Sequence, residues 1–312
     1  MKTYPQLIKK LFCDPLLVLP STYATFERAL LQRLGMPFDN QVLDVHAGHK
    51  ITARAKHDLE DDDETEARVE TPAERTQRRI NNITTIYGSV AVISIDGVID
   101  KRLSDFEVDC YGGLDLADVD AAIAQVGANP RIQRVVFDFN TPGGSAAGVP
   151  ETADRIQWLG KYKSQGGAGK ETRARVELLC ASAGQWLAAQ CDVTDAAPSA
   201  TLGSVGVYCA LLDQSGWLEK EGLKVNLIKA GQYKAMGANF KPLEDDARAL
   251  LQGRIDGMWA EFKESVREGR GDVAESTMQG QTFRADEAKK LNLVDNITAE
   301  SLDEYVSRLM TS

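Results

Sequence analysis

Two residues in this chain have the chemistry for a hydrolase that works without histidine, Ser182 and Lys234. Ser182 follows the strand-like run Arg175-Val-Glu-Leu-Leu-Cys180 and opens an apolar helix carrying Trp186, Leu187, Ala188 and Ala189. At such a junction free N–H groups and the positive end of a helix dipole gather, and a developing alkoxide or oxyanion is stabilised there. The competing reading is a plain helix cap, a position that serine favours.

The base for such a serine has to come from somewhere. All three histidines, His46, His49 and His57, precede the acidic run at 58–66, and their spacing matches no common metal site. A lysine serves only if desolvation lowers its pKa from about 10.4. Lys234 lies in Ala230-Gly-Gln-Tyr-Lys-Ala-Met236, a stretch with no other charge, just after the strand-like run Lys224 to Lys229. The alternative is an ordinary loop lysine. Thr141-Pro-Gly-Gly144 adds paired glycines after a buried strand, where a backbone N–H can approach a bound carbonyl closely; alone, it is a turn.

Other motifs fail. Gly166-Gly-Ala-Gly-Lys-Glu171 lacks the hydroxyl residue and the first glycine of a phosphate loop. Neither Ser145 nor Ser182 sits in a G-x-S-x-G elbow. The acidic run lacks the glycine and terminal glutamate of a calcium loop. No cofactor and no metal are expected.

The elements that must position these residues read as alternating α and β. Residues 1–55 form an N-terminal arm with a helix from Ser21 to Leu34. Asp58 to Glu66 holds seven carboxylates in nine positions and belongs to a flexible acidic linker over 56–86. From residue 87 a strand (89–95), a helix carrying Leu116, Val119, Ile123 and Val126, and a strand (135–139) make a strand-helix-strand unit. A second helix to Leu159, a basic glycine-rich loop (161–170) and the strand before Ser182 follow. Strands are expected at 202–209 and 224–229, with a helix between them at 212–221. A long helix over 244–268 carries Ala247, Leu251, Ile255, Met258, Phe262 and Val266 on one face and ends at Gly269. Leu250 and Trp259 give it a second apolar edge suited to a neighbouring subunit. Gln281 to Phe283, helices at 285–291 and 299–312, and Val294-Asp295 complete the chain.

Composition narrows the partners. With 36 Lys and Arg against 46 Asp and Glu, the net charge of −10 disfavours a nucleic-acid partner. Five scattered cysteines without a CxxC pair fit a reducing compartment. No run reaches the roughly 20 apolar residues of a membrane span, and the N-terminus lacks a signal-type apolar region.

Five ordered segments resemble the signal peptide peptidase A family of serine-lysine proteases: 135–144, 180–189, 201–207, 222–234 and 280–295. Within it the chain is most similar to the head-maturation proteases of lambda-like tailed phages. Phe12-Cys-Asp-Pro-Leu-Leu-Val-Leu-Pro20 resembles their N-terminal arm, and Ser182-Ala-Gly-Gln185 their form of a Ser-Gly-Gly motif. The resemblance implies an α/β fold of the ClpP/crotonase type, built of repeated β-β-α units over residues 87–298. It implies Ser182 as nucleophile, Lys234 as general base, Ser204 as the residue orienting the lysine, and the N–H groups of Gly144 and Ala183 as the oxyanion hole. It further implies a homo-oligomer cutting scaffold, portal or coat proteins inside a precursor head in the host cytoplasm. A soluble bacterial peptidase and a pseudo-protease with an assembly role are the alternatives. The stretch between the second helix and the Ser182 strand, with Lys161, Lys163, Lys170, Arg173 and Arg175, is longer than the family's usual pattern, which implies a different substrate groove.

Overall fold

A computed structural model describes residues 16–18, 70–104, 107–108, 112–160 and 167–311. The chain first appears as a short strand, β1 (Leu16–Val18). The helix expected at Ser21–Leu34, the three histidines, the acidic run and residues 161–166 of the basic loop lie outside the described residues.

The expected linker ends earlier than residue 86, because α1 (Pro72–Ile83) and β2 (Thr84–Tyr87) are already folded. Thr71 and Glu74 cap α1 reciprocally, with Pro72 in its first turn. Arg79 then anchors the helix through ion pairs to Asp118 at 2.7 Å and Asp115 at 3.2 Å, both largely buried. A local capping box next to a polar, acidic run is easily overlooked when composition alone draws the boundary.

Next come β3 (Val90–Asp96), β4 (Val98–Asp100), β5 (Gly113–Asp115) and α2 (Leu116–Ala128), capped by Asp115. The succession repeats as β6 (Arg134–Thr141), β7 (Gly143–Ser145) and α3 (Val149–Leu159), and β8 (Glu171–Ala181) leads into α4 (Ala183–Ala188). Then follow β9 (Val193–Ala196), β10 (Thr201–Gly203), α5 (Ser215–Lys220) and α6 (Asp245–Arg270). The chain closes with β11 (Thr282–Arg284), α7 (Ala285–Lys290), β12 (Asn296–Ile297) and α8 (Leu302–Thr311).

The strands form two sheets. The larger runs β11-β10-β8-β6-β3-β2, with β9 pairing both β8 and β12. Its pairings are parallel except at its ends, where β2 and β11 run antiparallel to their neighbours. The smaller sheet runs β1-β7-β4-β5. A mainly parallel sheet has both faces covered, and the alternation along β3 and β6 shows how. Ala91, Ile93, Ile95, Val135, Phe137 and Phe139 belong to the large core that includes the apolar sides of α2, α3 and α4. Val90, Val92 and Val136 pack instead against Tyr305, Val306 and Leu309 of α8. A hydrogen bond from the Tyr305 hydroxyl to Asp195, which is also ion-paired to Arg173 at 2.8 Å, fixes α8 in place.

Three expectations in the C-terminal half need correction. The strand at 202–209 is only β10; beyond Gly203 the backbone turns away at Ser204, which has a φ of 57°. No strand forms at 224–229, where the backbone runs exposed and unpaired in any sheet. The long helix stops at Gly271 rather than Gly269, because Gly271 holds the positive φ of 79° while Gly269 lies inside the helix. A Cβ on Gly269 would meet the Ala189 carbonyl oxygen at 2.0 Å, so that glycine serves helix packing rather than termination.

Candidate active site

Ser182 is 1% exposed and has φ 56° and ψ −115°, a backbone state that an L-residue holds at a cost of about 1–3 kcal/mol. Its side chain makes no capping hydrogen bond to α4, so the plain helix-cap reading does not describe it. The sharp turn arises because β8 must end in its ladder while the next residue starts a helix. Its N–H donates to the Gly203 carbonyl at 2.8 Å, one step past the last β8–β10 pair, Ala181 with Gly203. Its carbonyl accepts from the Trp186 N–H at 3.0 Å.

The short helix α4 is held by its own burial. Residues 183–188 are all buried, and Trp186 stacks on Phe262 of α6 with ring centroids 4.4 Å apart and 9° between planes. Gln190 reaches the same helix, its amide donating to the Ser265 carbonyl at 2.9 Å. As the first residue of α4, Ala183 has an N–H without an intrahelical acceptor, next in the chain to Ser182.

The Thr141 to Gly144 segment comes to the same place. Thr141 is registered opposite Cys180, two residues before Ser182, after a shift in the β6–β8 pairing that sets in beyond Phe139. Its hydroxyl donates to the Gly97 carbonyl at 2.6 Å and accepts from the Gly143 N–H at 3.1 Å. Its methyl lies where Gly184 has no side chain: a Cβ there would sit 2.4 Å from Cγ2. Gly144 is buried and registered with Ile99, and a Cβ on it would fall 1.8 Å from the Ile99 carbonyl oxygen. Sequence reasoning singled out the glycines and missed Thr141, whose hydroxyl ties the turn to the strand; its place before Pro-Gly-Gly was the available signal.

Ser204 is buried next door, its N–H donating to the Gln281 carbonyl at 2.7 Å. Thus Ser182 and Ser204 follow the ends of the adjacent strands β8 and β10, and Thr141, which leads into β7 and Gly144, lies opposite Cys180. Lys234 does not join them through any hydrogen bond. It is exposed in the single chain, its backbone N–H bonds Gly231 at 3.2 Å, and its side chain makes no hydrogen bond or ion pair among the described residues. In the segment that precedes it Leu223, Val225, Leu227 and Tyr233 are exposed, and Ile228 is 97% exposed.

The other lysine and thiols that could suggest chemistry are accounted for by structure. Burial pushes the Cys180 thiol well up, with Cys191 adding to the effect, so it is not a ready nucleophile. Lys170, the lysine of the failed phosphate-loop motif, donates to the carbonyls of Asn129 and Ile132 at 2.9 and 2.7 Å. Among the described residues no cluster of three His, Cys, Asp or Glu could hold a metal ion, and no helix is long and apolar enough to cross a membrane.

A buried serine on a strained turn, beside unpaired helix N–H groups and a glycine strand, is suited to acyl transfer. Residues 166–312 match the Peptidase family S49 model. The chain is 27% identical to the capsid assembly protease C of Escherichia phage lambda, over 99% of this chain and 68% of that protein. It is 28% identical to the head-tail preconnector protein GP5 of Enterobacteria phage P21, over 61% of this chain and 36% of that one. A putative protease of Methanocaldococcus jannaschii is 30% identical over 54% of this chain and 53% of its own length, so two of these three relatives extend well beyond what the chain spans. Residues 166–312, the stretch that carries Ser182, Ser204 and Lys234, are thus similar to peptidase family S49.

Proposed function

We propose that the chain is a serine endopeptidase that cuts phage head proteins (scaffold, portal or coat) during maturation of a precursor shell in the host cytoplasm. The observation that carries the reading is Ser182: buried, strained, and set at the start of α4, with the Thr141 end of β6 paired to the strand that leads into it. Ser182 attacks the scissile carbonyl, the N–H groups of Gly144 and Ala183 receive the oxyanion, and an acyl-enzyme forms that water releases. Lys234 removes and returns the proton, with Ser204 orienting it. The names of the phage lambda and P21 relatives support the choice of substrate class. The repeated order of main-sheet strand, then one or two small-sheet strands, then helix (β3-β4-β5-α2 and β6-β7-α3) supports a ClpP/crotonase-type fold.

A lysine works as base only in a dry setting, and Lys234 is exposed in the single chain. The apolar side chains beside it support a homo-oligomer in which a second copy covers this segment and desolvates the amine. Co-expression with a scaffold protein tests the assignment. Ser182→Ala and Lys234→Ala should each abolish cleavage while leaving the circular dichroism and thermal transition intact, and cleavage retained by either variant refutes its role. The exposed lysine also keeps a pseudo-protease reading in view. An alkyl fluorophosphonate decides: labelling of wild type but not of Ser182→Ala supports the enzyme, and no labelling supports the pseudo-protease.

A further inference from the structure

The strand that carries Gly144 already has a partner on each side. On one edge of β7, Ile99 of β4 is registered with Gly144. On the other lies β1, antiparallel, with Leu16 opposite Ser145, Leu17 opposite Gly144 and Val18 opposite Gly143. β1 is the end strand of the smaller sheet, so without it β7 would offer an open edge of backbone N–H and C=O groups. Such an edge recruits an extended peptide through main-chain hydrogen bonds, largely irrespective of side chain. This one starts two residues beyond Thr141, which is registered opposite Cys180 and packs on Gly184, so a strand laid along it runs past Ser182.

We propose that Leu16–Val18 is a built-in pseudo-substrate: the chain's own segment occupies the edge of β7 along which a peptide substrate must lie, and it has to leave before one is bound. The proposal rests on the roles assigned above to Ser182 and Gly144. Leu17 is the residue paired with Gly144, so β1 passes the proposed oxyanion donor itself rather than a distant part of the strand. Three residues form only a short ladder, which a longer peptide can displace. In the sequence Pro15 and Pro20 bracket the segment, and neither has an N–H with which to extend a ladder. Holding the site closed until competing polypeptide reaches high local concentration suits a protease that must stay silent while its substrates assemble.

The test joins the two strands covalently. Leu16→Cys with Ser145→Cys, in a Cys13→Ser background of the full chain, is bridged with a short bifunctional thiol reagent and the bridge is mapped by mass spectrometry. Two probes are then compared, a small alkyl fluorophosphonate that needs only Ser182 and a peptidyl fluorophosphonate that also needs the edge. Bridging should slow labelling by the peptidyl probe at least about tenfold, because the competent fraction falls, while changing the small probe's rate far less. As a second variant, Leu17→Pro should raise the peptidyl rate without altering the small-probe rate. Equal peptidyl labelling of bridged and unbridged protein overturns the proposal, as does a bridge that forms only between chains or not at all. If the small probe fails to label the unbridged protein, the assignment of Ser182 falls first and the pseudo-substrate with it.

Discussion

The N–H of Ser182 donates to the carbonyl of Gly203, 2.8 Å away, and this bond couples the turn at residue 182 to the turn at Ser204. Both serines have positive φ, 56° and 57°, at the ends of adjacent parallel strands. Two strained polar residues side by side in a buried setting persist only where the surrounding structure holds them, and here the ladder of β8 and β10 does so.

Strain at Ser182 predicts opposite effects on stability and activity. Ser182→Gly should raise stability by roughly 1 kcal/mol relative to Ser182→Ala, since glycine accepts a φ of 56° freely, while both variants lose cleavage. Urea unfolding midpoints of the two proteins check this; equal midpoints would show that the turn is not strained in solution.

At Gly144 there is no room for a methyl group. Gly144→Ala drives Cβ into the Ile99 carbonyl, so β7 must move, at a cost of about 1–3 kcal/mol or more. Labelling of Ser182 by a fluorophosphonate should fall with it. Gly184→Ala, which meets the Thr141 methyl, should behave similarly. A soluble, fully labelled Gly144→Ala protein would contradict the proposed oxyanion geometry.

The stack of Trp186 on Phe262 holds α4 against α6. Phe262→Ala should destabilise by about 3–5 kcal/mol. Phe262→Leu, which keeps most of the volume, should cost less and still slow acylation by loosening the helix that presents the Ala183 N–H. Denaturant unfolding and labelling rate, measured on both variants, separate the two effects.

Acid should weaken the central sheet through Glu171. Burial raises this carboxyl, but hydrogen bonds from Arg134 at 2.9 Å and Arg173 at 2.7 Å outweigh it and hold the group below its ordinary value of 4.5. A folded-state pKa below the unfolded one gives stability that is present above pH 4.5 and lost as pH falls through the lowered value. Glu171→Gln should therefore lower the melting temperature at pH 7 and flatten its decline on acidification below that point. An unchanged acid limb would assign the decline to other carboxylates, such as Glu300, which Arg308 holds low.

Much of the architecture is written in local pattern. The apolar runs in 89–95 and 135–139, the helical spacing of Leu116 to Val126 and of Ala247 to Val266, and the small residues after Cys180 each encode their own element. The junction at Ser182 and the Pro-Gly-Gly turn were legible for the same reason: a strand end, a helix start and a glycine pair are short-range statements. Pairing is not. Leu223, Val225 and Leu227 alternate as a strand does, yet the segment is unpaired in the single chain, because alternation says which residues share a face and nothing about what that face meets. The same limit hid the short strands β5, β7 and β9, the seating of Leu16–Val18 against Gly144, and the exposure of Lys234. Those depend on which distant backbone supplies the neighbouring ladder, a matter of chain closure and register that no window of sequence contains.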